Sequence, residues 1–128
     1  TNQKEREVKA MASLELAKEI AGILDHKKAA NVRVIGIRDI SILADYFVIA
    51  TGTSSTHVKS LADEVEYELK QKELLPDHLE GHNSNSWILM DYGSVIVHIF
   101  QKEMRDFYDL ERLWVDGEQV DISDVLTD

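Results

Sequence analysis

The stretch Asp45-Tyr46-Phe47-Val48-Ile49-Ala50-Thr51-Gly52-Thr53-Ser54-Ser55 decides the fold of this chain. Its first part, residues 46–51, is apolar at successive positions, which is typical of a central strand that is covered on both faces. Gly52 interrupts the strand, and the hydroxyl side chains that follow it suit the cap of a helix. The stretch therefore predicts a buried central strand, a short loop and the start of a helix.

The segments on either side of this stretch predict a mixed α/β fold. Apolar residues at helical spacing predict a helix over residues 8–28, and β-branched residues predict a strand over residues 32–37. After the loop, a second helix should end before Pro76 and bury one stripe, formed by Val58, Leu61, Ala62, Val65 and Leu69. Strands are expected at residues 87–90 and 95–100, then a short helix near residues 104–114, and a weak strand-like patch at residues 119–122. The order α-β-β-α-β-β-α predicts a mixed β-sheet flanked by helices.

The charge of the chain limits its partners. The 128 residues include 14 Lys and Arg against 24 Asp and Glu, a net charge of −10, so nucleic-acid backbones and anionic membranes should be repelled. A basic protein is the charge-compatible partner, and acidity that serves only solubility is the alternative. The absence of cysteine excludes disulfides and thiolate sites, and it fits a cytoplasmic location.

Four sequence blocks carry a resemblance to a known family. The central stretch with His57 resembles the central motif of the ribosomal silencing factor family, the Iojap-type proteins. Three later blocks agree with that family in order and spacing: Glu80-Gly81, Trp87-Ile88-Leu89-Met90-Asp91-Tyr92-Gly93 with Val97-His98-Ile99-Phe100, and Arg105-Asp106-Phe107-Tyr108-Asp109-Leu110-Glu111-Arg112-Leu113-Trp114. The resemblance covers residues 14–114.

The resemblance implies both a fold and a function. It implies a nucleotidyltransferase-like mixed sheet and a single domain over residues 11–116, between an N-terminal extension (residues 1–10) and an acidic tail (residues 117–128). It also implies a non-enzymatic translational repressor that binds protein number fourteen of the large ribosomal subunit and sterically blocks joining of the small subunit. The alternatives are a divergent nucleotidyltransferase-like enzyme and a large-subunit assembly factor. A homodimer of the free protein stays open, and little direct RNA contact is expected.

Two aromatic segments supply the candidate partner-binding residues. Strand alternation places Trp87, Leu89 and Asp91 on one face and Tyr92 on the other. Trp is frequent at interface hot spots, although a core position for Trp87 is the alternative. With the family resemblance, the candidates are Trp87, Asp91, Tyr92, Arg105, Tyr108, Asp109 and Glu111.

Catalytic and metal chemistry find little support in the sequence. The loop at residues 52–55 could hold a phosphate, but the paired carboxylates of a nucleotidyltransferase are missing, and Asp91 stands alone on its strand. A helix cap is therefore the favoured interpretation of the loop. The five histidines lack ligand spacing, and His98 is expected to be a hydrogen-bonded, semi-buried residue. The sequence predicts no cofactor and no metal.

Overall fold

The computed structural model describes residues 3–81, 86–109, 112 and 115–126, with the backbone alone for residues 6–11, 107 and 108. Within these residues the chain forms three helices and six strands. The helices are α1 (Gln3–His26), α2 (Ser55–Lys70) and α3 (Lys102–Tyr108). The strands are β1 (Ala30–Gly36), β2 (Tyr46–Gly52), β3 (His78–Glu80), β4 (Trp87–Asp91), β5 (Val95–Gln101) and β6 (Glu118–Val120).

The strands form one mixed sheet in the order β3-β4-β5-β2-β1-β6. Strands β2 and β5 are parallel, and every other neighbouring pair is antiparallel. All seven residues of β2 are buried between β1 and β5. This confirms the prediction of a central strand covered on both faces.

Helices α1 and α2 cover the first face of the sheet. Their buried side chains join those of the strands in the larger hydrophobic core, which includes Leu24, Val48 and Val97. The stripe predicted for α2 is confirmed, because all five of its residues are buried. The ion pair of Lys72 with Glu19 (2.5 Å) links α1 to the turn that follows α2 on the solvent side.

A smaller core lies on the second face of the sheet. Ile35, Phe47, Ile49 and Phe100 are buried there, and Met104 of α3 packs against them. Within the described residues, the seven-residue helix α3 packs mainly against β5 and β2. The second face therefore carries the half-buried side chains of β4.

Three features differ from the sequence prediction. Helix α1 already begins at Gln3, inside the predicted N-terminal extension. The edge strand β3 was not predicted, and β6 lies at the weak strand-like patch predicted near residues 119–122, so the full order is α-β-β-α-β-β-β-α-β. Strand β6 pairs with β1 through Val34 and Val120, so this part of the predicted acidic tail belongs to the sheet. Among the described helices, none is both long and apolar enough to cross a membrane.

Candidate functional site

Strand β4 presents a short row of side chains on the second face of the sheet. Trp87, Leu89 and Asp91 are half-buried, whereas Ile88 and Met90 between them are fully buried under the helices. This alternation confirms the predicted assignment of faces. It leaves one indole ring, one leucine and one carboxylate half-buried on the second face of the sheet.

An aromatic stack supports Trp87 from below. Its ring is nearly parallel to that of Phe100, with centroids 6.0 Å apart, and to that of His98, at 6.4 Å. The rings of Phe47 and His98 meet edge to face, with their centroids 4.7 Å apart. Trp87 therefore packs against the second core, in line with the core alternative, and part of its side chain is still exposed to solvent.

His98 differs from the expectation of a hydrogen-bonded residue. It is only 5% exposed, and neither ring nitrogen has a hydrogen-bond partner among the described residues. Burial among aromatic rings lowers the pKa of His98 to about 4, because a charged imidazolium would lose its hydration there. The ring is thus neutral at physiological pH and acts as an apolar support for Trp87.

Asp91 holds the turn that joins β4 to β5. Its Oδ1 accepts a hydrogen bond from the Gly93 backbone N–H (2.7 Å), and Gly93 has a φ of 85°, a conformation that glycine adopts without strain. The Tyr92 N–H donates to the Val95 carbonyl (2.9 Å) and closes the hairpin. Asp91 is thus a turn residue as well as a candidate for partner contact.

Tyr92 lies on the opposite side of the sheet from Trp87. Its ring packs against the first core, and burial, together with the negative charge of Glu66, raises the pKa of its hydroxyl to about 12. The structure therefore does not bring Tyr92 onto the surface formed by Trp87 and Asp91. Its position fits a role in attaching the hairpin to α2.

Arg105 lies inside the molecule, where it connects α3 to the sheet. The residue is buried, and its Nη1 donates to the Asn31 carbonyl oxygen (2.6 Å) and to Thr51 Oγ1 (2.8 Å). Asn31 lies at an irregularity in the pairing of β1 with β2 and has a φ of 50°, which turns its carbonyl out of the ladder. Arg105 therefore links α3 to β1 and β2 through hydrogen bonds.

The remaining candidates lie at the end of α3. Asp109 is half-buried in a left-handed conformation and lines a cleft of about 380 Å³. The cleft also contains Arg33, Lys102, Arg105 and Asp106, so its two carboxylates offset two of its three cations. This near balance does not favour a free anion as ligand. The side chain of Tyr108 and all of Glu111 lie outside what the structure describes.

The loop between β2 and α2 is a helix cap, as the sequence predicts. Ser54 Oγ accepts a hydrogen bond from the His57 backbone N–H (3.1 Å). The ring of His57 accepts from the Thr53 N–H at Nδ1 (2.9 Å) and donates from Nε2 to the Lys27 carbonyl oxygen (2.9 Å). The loop amide of Thr53 is thus already bonded within the protein. Among the described residues, no group of three or more His, Cys, Asp or Glu could hold a metal ion.

Sequence reasoning missed two parts of this region. Asn31 and Thr51 were not recognised as the partners of Arg105, because they are 74 and 54 residues away along the chain. Leu89 was assigned to the correct face but not proposed for binding. Alternation along β4 carries no information about how much of that face other elements cover.

Comparison with known proteins identifies the family. A protein-family model described as "Ribosomal silencing factor during starvation" matches residues 10–128 of this chain. A ribosomal silencing factor of Halalkalibacterium halodurans is 34% identical over 91% of this chain and 100% of its own length. A crystal structure of a Chromobacterium violaceum protein superimposes with a TM-score of 0.74 at 32% identity, covering 88% of this chain and 91% of the other. A Mus musculus protein named "Mitochondrial assembly of ribosomal large subunit protein 1" is 30% identical over 74% of this chain and 43% of its own length. The chain therefore belongs to the ribosomal silencing factor family.

Proposed function

We propose that this protein represses translation by binding the large ribosomal subunit and sterically preventing the small subunit from joining it. The observation that carries the proposal is membership of the ribosomal silencing factor family over residues 10–128. The mechanism is steric, so it needs neither a catalytic group nor a cofactor. Such a factor would act in the cytoplasm, where bacterial ribosomes work.

The partner in this proposal is a basic protein of the large subunit, its protein number fourteen. A net charge of −10 favours encounter with a basic protein surface and disfavours the RNA around it. The contact surface would be the row on β4, with Trp87 as its aromatic anchor, Leu89 beside it and Asp91 facing a Lys or Arg of the partner. Asp109 would extend this surface at the end of α3.

Sedimentation of purified subunits tests the function. Small and large subunits mixed at a magnesium concentration that permits joining should shift from joined to separate particles as the protein is added. Equal formation of joined ribosomes at saturating protein would overturn the proposal. Addition of ATP and magnesium should produce neither heat nor product, since the mechanism makes and breaks no bond.

Substitutions on β4 test the surface. Trp87→Ala and Leu89→Lys should each weaken binding to the large subunit by about 1–3 kcal/mol, the range for an interface anchor. Tyr67→Ala is the matched control, because Tyr67 is an exposed aromatic residue on α2, which covers the other face of the sheet. Folded variants of Trp87 and Leu89 that bind as tightly as this control would remove the β4 row from the interface.

A role in assembly of the large subunit is the second candidate function. The name of the Mus musculus relative favours it. Steric blocking predicts normal mature subunits in a strain that lacks the protein, whereas an assembly role predicts accumulation of immature large subunits. Density-gradient profiles of the deletion strain distinguish the two. Light scattering of the free protein tests the separate proposal that it forms a homodimer.

A further inference from the structure

The loop between β1 and β2 displays unusually large apolar side chains to solvent. Ile42 is fully exposed, and Leu43 and Ile40 are 65% and 42% exposed. Val115, 72% exposed, lies next to Asp116, which lines a groove together with Ile40. We call these four residues the apolar edge. Exposed apolar residues that cluster in this way mark interaction surfaces more often than isolated ones do.

The apolar edge is held in a defined shape. The N–H groups of Ile40 and Ser41 donate to the Ile37 carbonyl (3.1 and 2.9 Å), and the Ile37 N–H donates to the Asp45 carbonyl (2.8 Å). The Ser41 hydroxyl accepts from the Leu43 N–H (3.0 Å). These bonds fix the turn before any partner arrives, which lowers the entropy cost of binding.

An acidic groove adjoins the apolar edge. Its volume is about 200 Å³, and its charged lining consists of Asp39, Asp116, Glu118 and Arg38, three acids against one base. Arg38 also donates a hydrogen bond to the Tyr46 hydroxyl. The groove is thus locally negative in a chain that is negative overall, which suits a Lys or Arg side chain and repels phosphate.

The apolar edge lies at the opposite end of β2 from Trp87, and at the same end of the sheet as Asp91, which pairs with Ile96 and through it with Phe47. Trp87 is paired with Phe100, which is paired with Thr51 near the end of β2. Ile40, Ile42 and Leu43 precede the start of β2 at Tyr46, and the six residues from Tyr46 to Thr51 span about 17 Å. A partner that contacts Trp87 would therefore leave the apolar edge available for a second contact.

From this geometry we infer a second docking surface, in which the apolar edge and its acidic groove bind a basic protein segment of the large ribosomal subunit. A Lys or Arg side chain enters the groove, and apolar atoms of the same segment cover Ile42 and Leu43. This inference rests on the proposed function for the identity of the particle that carries the segment. A second copy of this chain fits the groove poorly, because like charges would face each other.

The test measures binding of the full chain to purified large ribosomal subunits by co-sedimentation. The double variant Ile42→Ser/Leu43→Ser should bind at least tenfold more weakly than wild type. Leu75→Ser, at an equally exposed leucine (62%) that follows α2, should bind within twofold of wild type. Because the substituted side chains are exposed, urea denaturation should show nearly unchanged stability for both variants.

Charge reversal separates a basic protein from RNA as the partner. Asp116→Lys should weaken binding severalfold at low salt and less at high salt, and the control Asp63→Lys on α2 should have a smaller effect. Stronger binding by Asp116→Lys would indicate RNA phosphate at this surface and overturn the inference.

Each remaining outcome also has a definite meaning. If wild type binds large subunits and Ile42→Ser/Leu43→Ser binds no more weakly than Leu75→Ser, the second docking surface is refuted and the proposed function stands. If wild type does not bind at all, both are refuted. Light scattering could show that wild type is a dimer and that Ile42→Ser/Leu43→Ser is a monomer. If that variant also binds the large subunit as tightly as wild type, the apolar edge is a contact between copies of the chain, and the inference is refuted.

Discussion

His98 should make the stability of this protein depend on pH. Its ring is buried between Phe47, Trp87 and Phe100, and the pKa in the folded protein is lowered to about 4, against roughly 6.5 for an unperturbed histidine. Between these values the unfolded chain binds a proton that the folded protein does not. The free energy of unfolding therefore falls as the pH decreases through 6.5 and levels off below about 4.

The magnitude follows from the same two pKa values. The interval is roughly 2.5 pH units at about 1.36 kcal/mol each, so the full loss is about 3 kcal/mol. Between pH 7.5 and pH 5.5, where most carboxylates stay ionised, linkage gives a loss of about 1 kcal/mol. His98→Leu should lack this loss. At neutral pH the variant should be as stable as wild type or more stable by about 1 kcal/mol, because it removes two buried nitrogens without hydrogen-bond partners among the described residues.

Urea denaturation followed by tryptophan fluorescence and circular dichroism provides the measurement. The quantity of interest is the stability difference between wild type and His98→Leu, measured at both pH values. His26→Leu is the matched control, because it makes the same replacement at an exposed histidine. A difference between wild type and His98→Leu that stays constant to within about 0.3 kcal/mol would refute the linkage argument.

Two further predictions concern residues that hold the candidate surface in place. Arg105→Met should lower the free energy of unfolding by about 2–3 kcal/mol, because the buried Thr51 hydroxyl and the Asn31 carbonyl lose a charged donor. Thr51→Val, which removes one of these acceptors, should cost less by the same urea assay. Gly81→Ala should cost at least about 1–3 kcal/mol in thermal or urea unfolding, because φ is 79° and a Cβ would overlap the Trp87 carbonyl oxygen. Gly22→Ala is the control for glycine replacement: a Cβ there makes only ordinary contacts, so equal stability losses for both variants would contradict the reasoning.

Local pattern was enough to predict the centre of the fold. Strand β2 and helix α2 each carry a strong signal, an unbroken apolar run and a five-residue stripe, and both lie where the sequence places them. Strand β3 has three residues with a single apolar side chain, Leu79, so it has almost no signal of its own. It exists because β4 offers it a hydrogen-bonding edge. Strand β6 depends on β1 in the same way.

The candidate surface was predictable only in part, for a related reason. Alternation fixed which residues of β4 share a face, but it did not show that Tyr92 is attached to the core under α2 or that Arg105 is buried. Both outcomes depend on contacts between segments far apart in the chain. The apolar edge is the converse case: Ile42 and Leu43 have core-like composition, and only the fold reveals that they face solvent.

Trp87 packs in the second core and is also partly exposed, so a measurement of its contribution to partner binding must separate these two roles. The same ring stacks on Phe100 and is half-exposed on the second face, so Trp87→Ala removes a core contact and a surface contact together. Phe100→Leu disturbs the stack from below and, because Phe100 is only 1% exposed, leaves the composition of the surface unchanged. If Trp87 anchors the partner, Phe100→Leu should lose stability yet bind the large subunit far more tightly than Trp87→Ala. If the two variants lose binding in proportion to their lost stability, the ring acts through the fold alone, and Leu89 and Asp91 are left to carry the contact.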